Sequence, residues 1–385
     1  MSDAPRSEDL ETLIADLVGF ETENPPGNER PCAEFVVDWF DEHGIDADLL
    51  EKPDAERPQV GATIGEGSPT LVLNGHMDVV PAGDRAEWSH DPFGGDVEGG
   101  SLYGRGSVDM KTGLALAMVT AAELRPEIDS GELSGSLVVH AAMGEETAEP
   151  GTKTLLEEGY DGDYGVVLEP TGLRTATSEK GLAFYEFEVD GTPSHASSPD
   201  QGKNAILDAR RVLEALEEYD ARVRERRHEL LGRELSTITK IEGGTKENVV
   251  PEDATITIDR RFLPERGVEE IDRELEDVLA DLRDDGIDVE LRRPRTFESA
   301  EIPVDTPIAE TFRTHSADIA DVPADPWGIP ASTDVRNFIN DADIPAITWG
   351  PGDIDQAHTY DEHVDLTEAG TGLDILLAAS RDLLS

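Results

Sequence analysis

The 385-residue chain has one cysteine, seven lysines and few aromatic residues. A lone Cys32 cannot close an intrachain disulfide, which sets aside a disulfide-built secreted scaffold and points to an intracellular setting. Its side chain is expected to pack as a small buried apolar group, not to act as a nucleophile. No run reaches the roughly 18 consecutive apolar residues of a membrane helix. The opening stretch MSDAPRSEDLETLIADLVGF also lacks the apolar segment of a signal peptide. The expectation is therefore a cytoplasmic chain that spans no membrane. Positive charge is scarce: 32 Lys and Arg stand against 85 Asp and Glu, for a net charge of -53. That balance argues against nucleic acid or an anionic membrane as a partner. Self-repulsion on this scale is relieved by concentrated salt, which shortens the Debye length to about 3 Å at 1 M. A halophilic chain from a salt-rich cytoplasm is expected, the alternative being an ordinary acidic enzyme. Apolar residues are not lacking, at 37%, and a chain of this length can bury a sizeable core and hold two domains.

Element signals alternate at first. SEDLETLIADLVGF spaces Leu10, Leu13, Ile14 and Leu17 as a helix does, with Ser7 as a candidate N-cap. RPCAEFVVDWFDEHG repeats the pattern and stops at Gly44, a candidate C-terminal glycine. TLVLNGH, GSLVVHAAM and YGVVLEP read as buried strands separated by helical stretches such as TGLALAMVTAAELR. This predicts an α/β architecture, a mixed sheet with helices on both faces. Near residue 179 the style changes. KGLAFYEFEVDG alternates apolar and polar residues, and the elements that follow run β-α-β-β-α-β, the order of a ferredoxin-like α+β layer. From about residue 295 the first style returns. The expected division is 1–178 and 295–385 for one catalytic domain, with 179–294 inserted as a lid or dimerisation domain.

Acids and imidazoles collect where the apolar strands end. LVLNGHMDVVP carries His76 and Asp78 two residues apart, on one face. GRGSVDMKTG holds Asp109 in a glycine-flanked turn, GEE supplies Glu145 and Glu146, VVLEP supplies Glu169, and QAHTYDEHV supplies His358. Ligands of open α/β sheets bind outside the carboxyl ends of strands. Carboxylates gathered there are costly to desolvate unless cations balance them. Two divalent ions, the carboxylates Asp109, Glu146 and Glu169, neutral His76 and His358, and one hydroxide sum to a net charge near zero. A His–carboxylate set with one shared Asp suits two zinc ions about 3.5–4 Å apart, and cobalt or manganese would accept the same ligands.

These motifs, with MGEETAEPGT, GTPSHASSP, GGTKENVVPEDATITIDRRFLPE and WGPGDIDQAHTYDEHV, occur in order over nearly the whole chain. Together they resemble the zinc deacylases and peptidases that include acetylornithine deacetylase, succinyl-diaminopimelate desuccinylase, aminoacylase and glutamate carboxypeptidase. The resemblance implies His76, Asp109 and Glu169 on one zinc, and Asp109, Glu146 and His358 on the other. Asp78 is then the residue that orients His76, and Glu145 the general base toward a water activated by the metals. The peptide bond after Asp109 is implied to be cis. His195 is implied to stabilise the oxyanion, often in the partner subunit's site, while Asn248, Arg261 and Arg336 match the family's contacts to a substrate carboxylate. Many relatives carry Asp where this chain has Gly144. The implied activity is hydrolysis of the amide bond of N-acyl amino acids. A carboxypeptidase or dipeptidase is the alternative, and a non-catalytic metal-binding interaction protein is a third reading that intact Glu145 and Asp78 argue against. A homodimer paired through the insert is also implied, though the long charged helix there could equally be a solvated face.

Overall fold

In the strand Thr70–His76 every residue after the first is buried, and in Ser136–Ala142 all are buried. Both faces of a central strand can be apolar only if both are covered, and here the covering layers are helices. The computed structural model describes residues 4–385, with side chains from residue 9 onward. Two compact units emerge, one of Met1–Thr177, Glu301–Ile329 and Thr333–Ser385, the other of Ser178–Ala300 with Pro330–Ser332.

In the first unit Thr70–His76 lies parallel between Ser136–Ala142 and Tyr164–Val167, and Ala346–Thr348 adds in parallel beyond the latter. Gln59–Ile64 and Ala47–Leu50 run antiparallel on the other side. The sheet is therefore mixed. Register places His76 abreast of Ala142, three residues before Glu145. Leu71, Leu73, Leu137, Val139, Val166 and Ile347 join one core with Leu114, Phe312, Leu373 and Leu376 from the helices and Trp349 from just past the last strand of the sheet. Gly113 permits a close approach near the site: a Cβ there would stand 2.1 Å from the carbonyl oxygen of Leu168, beside Glu169. The first helix spans Ala4–Val18, so it begins before Ser7, whose side chain lies outside the described ones. The second spans Arg30–Glu42, followed by Gly44 in the left-handed region at φ +68°. Among the described residues no helix is long and apolar enough to cross a membrane.

Behind the sheet a buried histidine sits in a chain of hydrogen bonds. Asn74 Nδ2 is 3.2 Å from His140 Nδ1 and 2.8 Å from Thr152 Oγ1, and His140 Nε2 is 2.7 Å from the carbonyl of Tyr160. Burial pushes the His140 imidazole down to about 4, opposed by its bond to Tyr160. The unfolded chain then takes up a proton between about pH 6.5 and pH 4 that the folded chain refuses. Stability contributed by His140 is thus complete above pH 6.5 and falls as pH drops, by roughly 3 kcal/mol at pH 4. Urea melts of the wild type and His140→Gln should converge as pH falls from 7 to 4.5. A stability gap that stays constant with pH would contradict this.

The second unit builds its own core. Four strands, Gly181–Asp190, Leu235–Gly243, Asp253–Phe262 and Asp288–Phe297, pair antiparallel in spatial order second, third, first, fourth. Gly181–Asp190 alternates buried and half-buried residues from Ala183 onward, as its sequence does. Helix Ala205–Val223 is capped by the Asn204 side chain, which accepts from the N–H groups of Ile206 and Leu207 at 3.0 and 3.3 Å. Ala209, Val212, Leu216 and Tyr219 from that helix meet Ile271, Leu275 and Leu279 of helix Val268–Asp284 over the sheet. The last strand continues to Phe297, beyond the expected end near residue 294. A register shift between Arg292 and Arg295 absorbs Pro294, and pairing resumes at Arg295 against Phe184.

Candidate active site

Asp109 stands at the centre of the site. One of its oxygens lies 3.4 Å from His76 Nε2 and the other 3.3 Å from His358 Nε2. Glu169 Oε1 is 3.5 Å from His76 Nε2, and Glu146 Oε2 is 3.2 Å from His358 Nε2. All five residues expected at a metal pair therefore converge. His76, Asp109 and Glu146 each offer a ligand atom, all within 4.8 Å of one another. Four of them arrive from segments that follow buried strands or open the helix Thr112–Asp129, and His358 comes from the loop after Ala346–Thr348. His358 has φ +63°, a left-handed conformation that is uncommon outside glycine and is found at functional positions. The Asp109–Met110 peptide bond is cis.

The imidazole of His76 has a defined tautomer. Its Nδ1–H donates to the main-chain oxygen of Asp78 at 2.8 Å, and a carbonyl can only accept. Nε2 is therefore the lone-pair nitrogen of the neutral ring, and although buried it has no hydrogen-bond partner. An orphaned buried acceptor facing carboxylates is what a metal ligand requires. Nitrogen and oxygen donors in this ratio suit zinc, and also cobalt or manganese.

The contact of Asp78 with His76 runs through the backbone. Its carboxylate is 3.6 Å from Nδ1, so orientation falls to its backbone carbonyl. The carboxylate instead accepts the N–H groups of Glu145 and Glu146, both at 3.2 Å, and Asn24 Nδ2 at 2.9 Å. It fixes the turn that aims the two glutamates apart. Gly144 enters that turn at φ +78°, and a Cβ there would stand 2.4 Å from a Glu149 side-chain oxygen. A left-handed residue at this point of the turn is one that glycine adopts without strain.

Electrostatics follow from burial. Burial first, then Asp334, pushes the Glu145 carboxyl well above the carboxylate range. Glu169 rises to about 7, from burial and then Asp109, and Glu146 rises for the same reasons. Glu362 also rises to about 7 through burial. Asp109 moves the other way: the imidazoles of His358 and His76 beside it outweigh burial. His358 is pushed up to about 11 by hydrogen bonds to Asp109 and Glu146. Excess negative charge here draws in protons, and divalent cations would supply the same balance.

Arg336 is buried beside this cluster, with Nη1 3.5 Å from Glu145 Oε1 and Nη2 3.2 Å from Asp334 Oδ1. Asp334 in turn accepts from Thr152 Oγ1 at 2.6 Å and Asn337 Nδ2 at 2.8 Å. Asn24, Asp334 and Glu362 escaped the sequence reading because single polar residues in loops carry no spacing signal; Glu362 alone lay within a quoted motif, four residues after His358.

His195, Asn248 and Arg261 belong to the second unit. The Ser197 N–H donates to His195 Nδ1 at 3.1 Å, which leaves the neutral ring's proton on Nε2. Asn248 is held in the adjoining segment, its carbonyl accepting from the Ala196 N–H at 3.0 Å. Arg261 forks onto Asp259 at 2.8 and 3.1 Å, whereas neighbouring Arg260 is fully buried against Glu234 and Tyr219. Of the two arginines, Arg260 is the structural one.

Comparison with known proteins agrees with this geometry. Residues 72–382 match the model of peptidase family M20/M25/M40. A protein of Staphylococcus aureus strain MSSA476 described as a probable succinyl-diaminopimelate desuccinylase is 30% identical over 400 residues, covering 96% of each chain. A Bacillus subtilis N-formyl-4-amino-5-aminomethyl-2-methylpyrimidine deformylase is 26% identical, over 94% of this chain and 91% of its own. The fold is that of an M20 metallo-carboxypeptidase from Sulfolobus solfataricus, with a TM-score of 0.80 at 18% identity and 99% coverage of both chains. A dinuclear metal binding M20 peptidase from Bacillus subtilis superposes with a TM-score of 0.74 at 16% identity, again over 99% of both. The chain is a metallo-hydrolase of peptidase family M20/M25/M40.

Proposed function

We propose that this protein hydrolyses the amide bond of N-acyl amino acids, with His76, Asp109 and Glu169 holding one zinc ion and Asp109, Glu146 and His358 a second. The observation that carries the reading is Asp109 with one oxygen toward each imidazole while Glu145, outside that set, lies beside a buried arginine. Bound there, such ions polarise a carbonyl oxygen and make a water molecule acidic. The protein's own residues do the rest. Glu145, whose carboxyl is already disposed to hold a proton, takes one from the attacking water and delivers it to the departing amine. Asp78 keeps Glu145 and Glu146 on diverging paths by gripping both backbone N–H groups. Arg336, 3.5 Å from Glu145, would place a substrate carboxylate next to the scissile amide. His195, protonated at Nε2, is suited to donate to the oxyanion. Asn248 and Arg261 are its companions in substrate binding.

A desuccinylase and a deformylase among the relatives support acyl transfer to water as the reaction. Screening formyl-, acetyl- and succinyl-amino acids against dipeptides and peptide C-termini, with zinc, cobalt or manganese added, tests the proposal. Turnover of acyl amino acids is expected. Cleavage of peptides alone would assign the carboxypeptidase or dipeptidase reading instead.

Two accompanying features belong to the same proposal. The insert pairs with a second copy; exposed Ile206, Leu207 and Ile241 on its helix start and edge strand support this, and a monomer at all concentrations by sedimentation would refute it. The net charge of -53 supports a salt-rich intracellular setting. The melting temperature should accordingly rise with potassium chloride, and an insensitive melt would exclude that origin.

A further inference from the structure

We propose that Glu362 is a positioning residue that sets the separation of Asp109 and His358 and thereby the site's hold on its second ion; this rests on the ligand roles given above. Glu362 is fully buried, and both of its oxygens are used. Oε1 accepts the N–H of Val108 at 3.0 Å and of Asp109 itself at 3.2 Å. Oε2 pairs with the buried guanidinium of Arg105. The backbone is tied as well, the Glu362 carbonyl accepting the Gly104 N–H at 2.9 Å.

The need for this residue lies in the backbone of the Asp109 turn. Asp109 and Met110 have φ/ψ of -123°/93° and -135°/34°, outside the helical region. The N–H groups of Val108 and Asp109 fall in the first turn after Gly106, where no intrasegment acceptor is available, and Glu362 supplies it. Arg105 is fixed in turn by its own N–H to the Pro92 carbonyl at 2.7 Å and by the face of Trp88, 5.2 Å from its guanidinium carbon. His358 lies four residues before Glu362, half-exposed, and its ring stands in ion-pair geometry to Asp109 and Glu146. The segment after it is held first at Asp361, whose carboxylate accepts the Ser89 N–H at 2.6 Å, then at Glu362, followed at once by the pairing of His363–Asp365 with Ser101–Tyr103. One carboxylate thus fastens both the turn that presents Asp109 and the segment that presents His358, although 253 positions separate Glu362 from Asp109.

Neutralising Arg105 would explain one oxygen of Glu362 but not the other. The two roles separate in a test on the full chain with three variants: Glu362→Asp, the paired Arg105→Met/Glu362→Leu, and Asp109→Ala as control. Glu362→Asp keeps the charge beside Arg105 but withdraws the acceptor from the turn, and the paired variant removes both the charge pair and the acceptor. Zinc dissociation constants are read by chelator competition, and the metal-free melting temperature is read alongside. Both Glu362 variants should lose affinity for the more weakly held ion by about 10–100-fold while the metal-free fold persists. Dissociation constants within about threefold of wild type in either variant that folds would overturn the proposal. So would failure of both variants to fold without metal, since Glu362 would then serve the fold at large. If Asp109→Ala keeps both ions, the ligand reading itself falls, independently of Glu362.

Discussion

Glu145→Gln should lower turnover by at least 10²–10⁴-fold, the range for removing a general base, with bound metal unchanged. The reason is geometric. Glu145 faces Arg336 and not the imidazoles, so an amide of the same shape leaves His76, Asp109, Glu146, Glu169 and His358 in place. A glutamine can accept a hydrogen bond from water but cannot take its proton. Substrate affinity should change little, because the Arg336 interactions with Asp334 and the Thr333 carbonyl hold the guanidinium without Glu145. Parallel loss of metal and activity would show that Glu145 is a ligand, and full activity would remove it from the chemistry.

The first unit's architecture was legible because its strands are short apolar runs ending in polar residues, as in TLVLNGH, and its helices carry unbroken apolar faces. The strand Gly181–Asp190 was legible for the opposite reason: KGLAFYEFEVDG alternates, so a change of sheet environment shows in the period alone. The far end of Asp288–Phe297 was not, because a register shift around Pro294, which sequence does not encode locally, carries pairing on to Phe297. The ion-pair cluster was visible as residue types at strand ends, and the structure brings all five together. Its support was hidden. Asp78 was expected to orient His76; the contact runs through its carbonyl, and sequence does not say which atom of a residue will be used. Asn24 and Glu362 act over 54 and 253 positions, and no local pattern encodes contacts at that range.

Asp109→Ala should have the largest effect of any single change. Among the described residues Asp109 has an oxygen toward each imidazole, so its removal takes a donor from both ions and leaves His76 beside Glu169 and His358 beside Glu146 without the carboxylate they share. Neither the two donors that remain on one side, His358 and Glu146, nor the two on the other, His76 and Glu169, would make a closed tetrahedral set. The measurement is metal content per chain, by plasma emission, for wild type and Asp109→Ala loaded with zinc and dialysed together. The account predicts about two ions in the wild type and loss of both in the variant. A variant that retains the wild-type content, or a wild type that binds none, would contradict it.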